Sequence, residues 1–384
     1  MPFPPNTGGR IGMFKRIEYF SRTNEIYLFS IIDRTEEVKY KHSMEKYCKS
    51  VSLYCREGKK LQSLFQLIKA PYVCESRWFS RMKSDISVYY EKLNPDFVIV
   101  DFPQMLGNIP EKVFHSGKLV LNQHNTEYLT LRNISKLFDN PLKRVVGLIE
   151  SYRLERLEKK YYQRNAIRLF TFVSSEDKLF FENKYGFTNT LLVPVGTEVN
   201  VSEKKDKGNF NISYIGKMEY PANAEAAVWF ANNVFGKIKA DIEGIRYYVV
   251  GKNPLRSVKE LAEQDADIVV TGTVDDIGKY FEMSDVIVIP LFHGGGVKVK
   301  LLEALGHKKL VITTRKGIEG TIFRDKHELL VAEDAEHFKE LIKDIFHNPD
   351  KYNDIIETGF ECVKNNFTWA AIVKNYEEVL KSMI

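Results

Sequence analysis

No stretch of the chain approaches the roughly 18 consecutive apolar residues of a membrane-spanning helix. The longest apolar runs, Asp96–Asp101 and Asp285–Leu291, are strand-sized and interrupted, so the expectation is a soluble or membrane-peripheral protein. No signal-peptide h-region follows Met1. Cysteine is scarce: Cys48, Cys55, Cys74 and Cys362 form no CxxC pair and are joined by no histidine cluster. This argues against structural zinc and for a reduced, cytoplasmic protein. Low-complexity segments and short-period repeats are missing too, as is any aromatic-interleaved RNA-binding motif. The net charge of +5 is modest, and nucleic acid is not an expected partner. What remains is ordinary globular composition, 44% hydrophobic and 28% charged over 384 residues, long enough for two domains. The charge is uneven, +9 over residues 1–200 and −4 over 201–384.

Short β-branched and aromatic runs alternate with longer amphipathic stretches. In the first half, strands are predicted at Glu25–Ile32, Phe97–Val100, Leu119–Asn122, Leu169–Val173 and Thr190–Val193, with helices at Ser76–Leu93 and Pro141–Asn165. In the second half, strands are predicted at Asn211–Ile215, Arg246–Val250, Asp267–Thr271, Val286–Pro290, Leu310–Thr313 and Leu329–Val331. Helices fall at Ala222–Phe235, Pro254–Glu263, Val274–Met283, Val297–Leu305 and Ala335–His347. This β-α order, twice over, predicts two doubly wound parallel-sheet domains. The joint is placed in the polar stretch Glu198–Gly208. The domains expected are 1–198, 199–365 and a terminal helix at 366–384, with the ligand in the cleft between the sheets.

The strongest local signal is Leu291-Phe292-His293-Gly294-Gly295-Gly296 running into Val297-Lys298-Val299-Lys300-Leu301-Leu302-Glu303-Ala304-Leu305. A strand, a glycine turn and a helix N-terminus make an anion site from backbone N–H groups and the helix dipole. Lys298 and Lys300 add charge suited to a diphosphate, and Glu303 can accept hydrogen bonds from sugar hydroxyls. The motif is neither GxxxxGK[ST] nor GxGxxG. A flexible turn with Lys300 and Glu303 as a solvated pair is the bland alternative.

Gly294–Leu305, with Leu310-Val311-Ile312-Thr313-Thr314 and Gly317-Ile318-Glu319-Gly320 downstream, resembles the donor-binding core of the retaining glycosyltransferases of family 4. Ile215-Gly216-Lys217-Met218-Glu219-Tyr220-Pro221-Ala222-Asn223 is similar to that family's first nucleotide-domain strand and turn, and Leu192-Val193-Pro194-Val195-Gly196-Thr197 to its interdomain joint. Asn122-Gln123-His124-Asn125-Thr126-Glu127 looks like the segment of its active-site histidine, and Pro4–Ile11 like the glycine loop after its first strand. The resemblance implies the GT-B fold, two Rossmann-like domains facing a cleft, and a UDP-, GDP- or dTDP-sugar donor with neither metal nor cofactor. It assigns Gly8, Gly9, Gly216, Lys217, Gly294, Gly295, Gly296, Lys298 and Lys300 to the diphosphate and His124 to the sugar or reacting centre, with Glu303 at the sugar and His293 as a further donor contact. The family's usual first glutamate would fall on Gly295, a loss shared by a subgroup reading GGG-x-R-x-K-x-L-E-A, where Lys298 here replaces arginine. Two alternatives stay open: a nucleotide-sugar 2-epimerase, or a non-catalytic partner or glycan-binding subunit of the same fold.

Two segments carry separate expectations. Asn140-Pro141 reads as N-cap and N1 of a helix with apolar positions Leu142, Val145, Ile149, Tyr152, Leu154, Leu157 and Tyr161 and a charge of +4 over 140–165. We read it first as packed on its own sheet with a solvated charged face. The alternative is contact with an anionic leaflet, which would suit a polyprenyl-diphosphate-linked acceptor. The opening, Met1-Pro2-Phe3-Pro4-Pro5-Asn6-Thr7-Gly8-Gly9, is loop-like. Set against the family, it leads to the expectation that a central first strand lies upstream of Met1, unless another part of the chain supplies it.

Overall fold

The computed structural model describes residues 1–58, 70–136, 138, 140–201, 208–293 and 298–384. The chain divides into two units, Met1–Pro194 with Val373–Ile384, and Val195–Ile372. Among the described residues, all paired strands run parallel.

In unit 1, β1 (Tyr27–Ile32) pairs with β2 (Ser50–Cys55), while β3 (Val98–Asp101), β4 (Leu119–Gln123), β5 (Ile167–Phe172) and β6 (Thr190–Leu192) form a separate sheet in that order. A single doubly wound sheet was expected; among the described residues the strands of unit 1 make two. The Met1 amino group donates to the Ile31 carbonyl at 2.7 Å. β4 is buried at all five positions, the pattern of a strand covered on both faces. Its neighbours pack an aromatic core in which Phe170 and Phe187 stack at 4.2 Å and Tyr162 meets Phe181 edge-on at 5.8 Å. Gly8 and Gly9, expected in a loop, open the helix Gly8–Phe20 behind Thr7 in extended conformation. Extended Thr7 and the Pro-rich run before it end where that helix begins, so the glycines sit at its free N–H groups. The terminal helix Trp369–Lys381 buries Tyr376, whose ring meets Phe20 at 5.4 Å and whose hydroxyl donates to Asn122 Oδ1 at 2.9 Å.

The helix Pro141–Tyr162 does start at Asn140, whose side chain accepts from the Lys143 amide. Its packing departs from the reading given first. Leu154 is buried and Leu157 packed, yet Leu142, Val145, Ile149 and Tyr152 are exposed at 71, 53, 55 and 64%. The buried face is formed instead by Gly147, Ser151, Leu154, Glu158 and Tyr162.

Unit 2 holds one six-stranded sheet, β12-β11-β10-β7-β8-β9, made of β7 (Phe210–Ile215), β8 (Ile245–Val250), β9 (Ile268–Gly272), β10 (Val286–Ile289), β11 (Leu310–Thr313) and β12 (Leu330–Val331). Its core gathers fully buried Tyr214, Phe230, Phe235, Tyr247, Phe281 and Phe338. The chain moves outward from β7 through β8 to β9, then returns to β7's other side with β10. The sheet therefore has its topological switch point between β7 and β10, where ligands of such sheets bind at the strands' carboxyl ends.

Candidate functional site

At that switch point, β7 ends in Ile215-Gly216-Lys217, and β10 ends in Ile289-Pro290-Leu291 ahead of the helix Val299–Gly306. Gly294, Gly295 and Gly296 lie outside the described residues. Lys298 occupies the helix N-cap position and is 9% exposed. Lys300, in the first turn, reaches back across the switch point. Its ammonium donates to Asn223 Oδ1 at 2.6 Å and to the Tyr214 hydroxyl at 2.9 Å, and lies 4.7 Å from the Tyr214 ring centroid. A Cβ on Gly216 would sit 3.1 Å from the Lys300 nitrogen, so bare backbone meets a buried cation there. Gly216 donates its N–H to the Val250 carbonyl at 2.9 Å. At Gly251, with φ +152°, a Cβ would fall 1.6 Å from the Gly216 oxygen. The two strand ends are thus flush because neither carries a side chain.

Burial, aided by the nearby Lys298 charge, pulls the Lys300 amine down to about 7. Its hydrogen-bond partners are neutral, and no carboxylate lies within ion-pair distance of it among the described residues. A desolvated cation with only neutral partners is stabilised by an arriving anion. Glu303, one turn on, is pushed up by burial, with Lys300 opposing; it can both donate to and accept from hydroxyl groups in its protonated form. Lys217 and His293 are exposed at the two strand ends. The arrangement gathers positive charge, backbone bare of side chains at Gly216 and one adaptable carboxyl, the chemistry of a phosphorylated, hydroxyl-bearing ligand.

Unit 1 builds a second cluster at the ends of β3 and β4. Asp101, the last residue of β3, accepts on Oδ1 from the Arg16 guanidinium, from His124 Nε2 at 2.9 Å and from Asn122 Nδ2 at 3.2 Å. Burial alone would raise the Asp101 carboxyl, but Arg16 and the His124 hydrogen bond hold it well below the usual carboxylate range. An ionised carboxylate only accepts, so Nε2 carries the hydrogen. Arg16 Nη2 lies 3.4 Å from Nε2 as a second donor to the same oxygen. The Phe102 ring stacks on His124 at 4.1 Å and 17°. Phe102 has φ +72°, a conformation costing a non-glycine residue about 1–3 kcal/mol, so this site holds stored strain. Gly9 belongs here as well: its Cβ would lie 3.6 Å from the Phe102 ring and 3.8 Å from His124 Nδ1, while Gly8 faces open space.

The structure thus brings Gly216, Lys217, Lys298, Lys300 and Glu303 to one end of the unit 2 sheet, and Gly9 and His124 to one end of β3 and β4. Sequence reasoning missed Tyr214 and Asn223, which hold Lys300, and Arg16, Asp101 and Phe102, which hold His124. The available signal for Asp101 was a charge closing an apolar run just ahead of Phe102-Pro103. A separate concavity of about 490 Å³, lined by Glu111, His115, Arg164 and Arg168 among others, contains none of these residues.

Residues 209–348 match the model of the family described as glycosyl transferases group 1. A Klebsiella pneumoniae chain described as an uncharacterized 44.6 kDa protein in the cps region is 23% identical, across 95% of this chain and 94% of its own. Among solved structures, a glycosyltransferase from Rickettsia africae ESF-5 superposes with a TM-score of 0.61 at 17% identity, over 94% of this chain and 98% of its own. Anabaena Alr3699/HepE, solved with UDP and glucose, gives a TM-score of 0.60 at 14% identity, over 98% and 96%. The chain also resembles TarM (TM-score 0.52, 14% identity, 76% of this chain), although it spans 57% of that longer protein. The sheets and these likenesses make the fold GT-B, and the part of the chain that resembles the glycosyl transferases group 1 model is residues 209–348, which hold the six-stranded sheet of unit 2.

Proposed function

We propose that the protein is a retaining glycosyltransferase. In this reading it moves a sugar from a UDP-, GDP- or dTDP-sugar to a glycan or polyprenyl-diphosphate-linked acceptor, in the cytoplasm or at the inner face of the membrane. The observation that carries the reading is the buried Lys300 amine beside the bare backbone of Gly216 at the switch point of unit 2, within the segment that matches the family. The donor's diphosphate is the natural anion for that position. Lys300, Lys298 and Lys217 stabilise the negative charge that grows on the diphosphate as the glycosidic bond breaks. Glu303 holds sugar hydroxyls, and the acceptor hydroxyl enters on the face the diphosphate leaves, which preserves the anomeric configuration. His124, oriented by Asp101, is assigned to the sugar or reacting centre, and Gly8 and Gly9 to the diphosphate; His293 is a further donor contact. The cps-region relative supports a role in surface polysaccharide synthesis.

The test is nucleotide release. Purified protein incubated with a panel of UDP-, GDP- and dTDP-sugars should slowly hydrolyse one donor without an acceptor. Nucleotide binding without turnover on any donor and lipid-linked acceptor would instead assign a non-catalytic role.

A further inference from the structure

The helix Pro141–Tyr162 packs against Glu127–Lys136, and it also meets the segment at Ala70 and Tyr72, where Arg153 donates to the Ala70 carbonyl and Glu150 accepts from the Tyr72 amide. A Cβ on Gly147 would meet Ser135 Oγ at 2.1 Å, Arg132 donates to Glu155 at 2.7 Å, and Leu154 and Leu157 share a cluster with Leu131 and Tyr128. At about 100° per residue, the opposite face is centred on Leu142, Val145, Val146, Ile149 and Tyr152. All five are exposed, Leu142 at 71% and Tyr152 at 64%, and Ile134 of the neighbouring helix is exposed as well. One turn beyond Tyr152 the same face becomes basic, with Arg156, Lys159 and Lys160 all exposed.

This is a graded surface. Its apolar part runs about 15 Å, at 1.5 Å per residue, and its basic part continues for a further turn. The helix carboxylates do not offset that charge on the exposed face. Glu150 binds Arg153 and the Tyr72 amide, Glu155 binds Arg132 and Lys184, and Glu158 is buried. Tyr152 stands at the boundary, where an aromatic ring with a polar tip suits an apolar–aqueous interface.

We propose that this face docks on an anionic lipid bilayer, with Leu142, Val145, Val146 and Ile149 entering the acyl boundary and Arg156, Lys159 and Lys160 at the phosphate level. Charge complementarity selects this occupant. A second copy of the chain would set the three cations against their counterparts or against the apolar stripe, and neither arrangement supplies an anion. A bilayer supplies an apolar layer and an anionic layer side by side, in the order the helix presents them. No helix among the described residues is long and apolar enough to cross a membrane, so the contact is peripheral. The inference gives a surface to the localisation proposed above, but it uses unit 1 alone and does not depend on transferase activity.

The full chain, without nucleotide or acceptor, is floated with vesicles of phosphatidylcholine alone or of phosphatidylcholine and phosphatidylglycerol at about 2:1. The wild-type protein should float with the anionic vesicles and not with the neutral ones. Val145→Ser with Ile149→Ser should reduce the bound fraction by about tenfold or more; a triple exchange, Arg156→Gln, Lys159→Gln and Lys160→Gln, should do likewise and remove the salt sensitivity. These positions are exposed, so unchanged thermal unfolding confirms intact variants. Three outcomes overturn the proposal: no flotation of the wild-type protein, serine variants that float like it, or a wild-type dimer by light scattering that the serine variants dissociate. Failure here leaves nucleotide release untouched, and failure of nucleotide release leaves flotation untouched.

Discussion

Lys300 was legible in the sequence only as a second charge beside Lys298; in the structure it is the side chain that reaches the Gly216 backbone. Spacing could not show this, because the two residues that hold its amine, Tyr214 and Asn223, lie about eighty positions earlier. Burial, which pulls its amine down to about 7, makes a signed prediction. A nucleotide sugar carries a fixed diphosphate charge, which favours the ammonium and raises its pKa on binding. Donor affinity should therefore fall as pH rises from about 6 to about 9, with up to about one proton taken up on binding above pH 7. Calorimetry in buffers of differing ionisation enthalpy reads both, and Lys300→Met should remove the uptake; a pH-independent affinity would count against the assignment. At the other cluster, Asp101→Asn should lower turnover while leaving donor affinity within about twofold, since it releases His124 and Arg16 without touching the Gly216 end of unit 2. An equal loss in binding would mean that Asp101 is a general fold contact.

At the scale of elements, the strands of unit 2 were readable because buried parallel strands are continuous apolar runs, and β10 and β11 show four buried positions each. β2 was missed: Ser50–Cys55 buries only two of its six positions, with serine at two others. The helix Gly8–Phe20 was hidden behind prolines and glycines that read as a loop. The helix Pro141–Tyr162 was found with its cap, but the face it turns inward was not. Periodicity reports that an apolar stripe exists, whereas small Gly147 and Ser151 decided which side another helix could approach. The flush ends of β7 and β8 give an element-scale prediction. Gly251→Ala places a methyl group inside contact distance of the Gly216 oxygen and should destabilise unit 2 by about 2 kcal/mol or more, seen as a fall of several degrees in its thermal transition. Nucleotide binding should weaken with it, because Gly216 must move. An unchanged melting curve would show that the strand ends are not locked.

For the whole molecule, the sequence yielded two α/β units and the order of their motifs, while the division of unit 1 into two sheets, and the Asp101–His124–Arg16 cluster at its strand ends, needed three dimensions. The central claim is that unit 2 holds a nucleotide-diphosphate sugar at the β7–β10 switch point through its lysines. A ligand that binds only the folded state raises the melting temperature in step with its concentration over its Kd, by about 2.7 kcal/mol at 100 times Kd. The most direct measurement is thermal unfolding of the wild-type chain and of Lys298→Ala with UDP, GDP and dTDP in turn. The account predicts stabilisation by one of the three, with the variant at least about tenfold weaker for it, the loss of one charge-assisted contact. No stabilisation by any nucleotide at millimolar concentration, or a variant that binds as tightly as the wild-type protein, would contradict it.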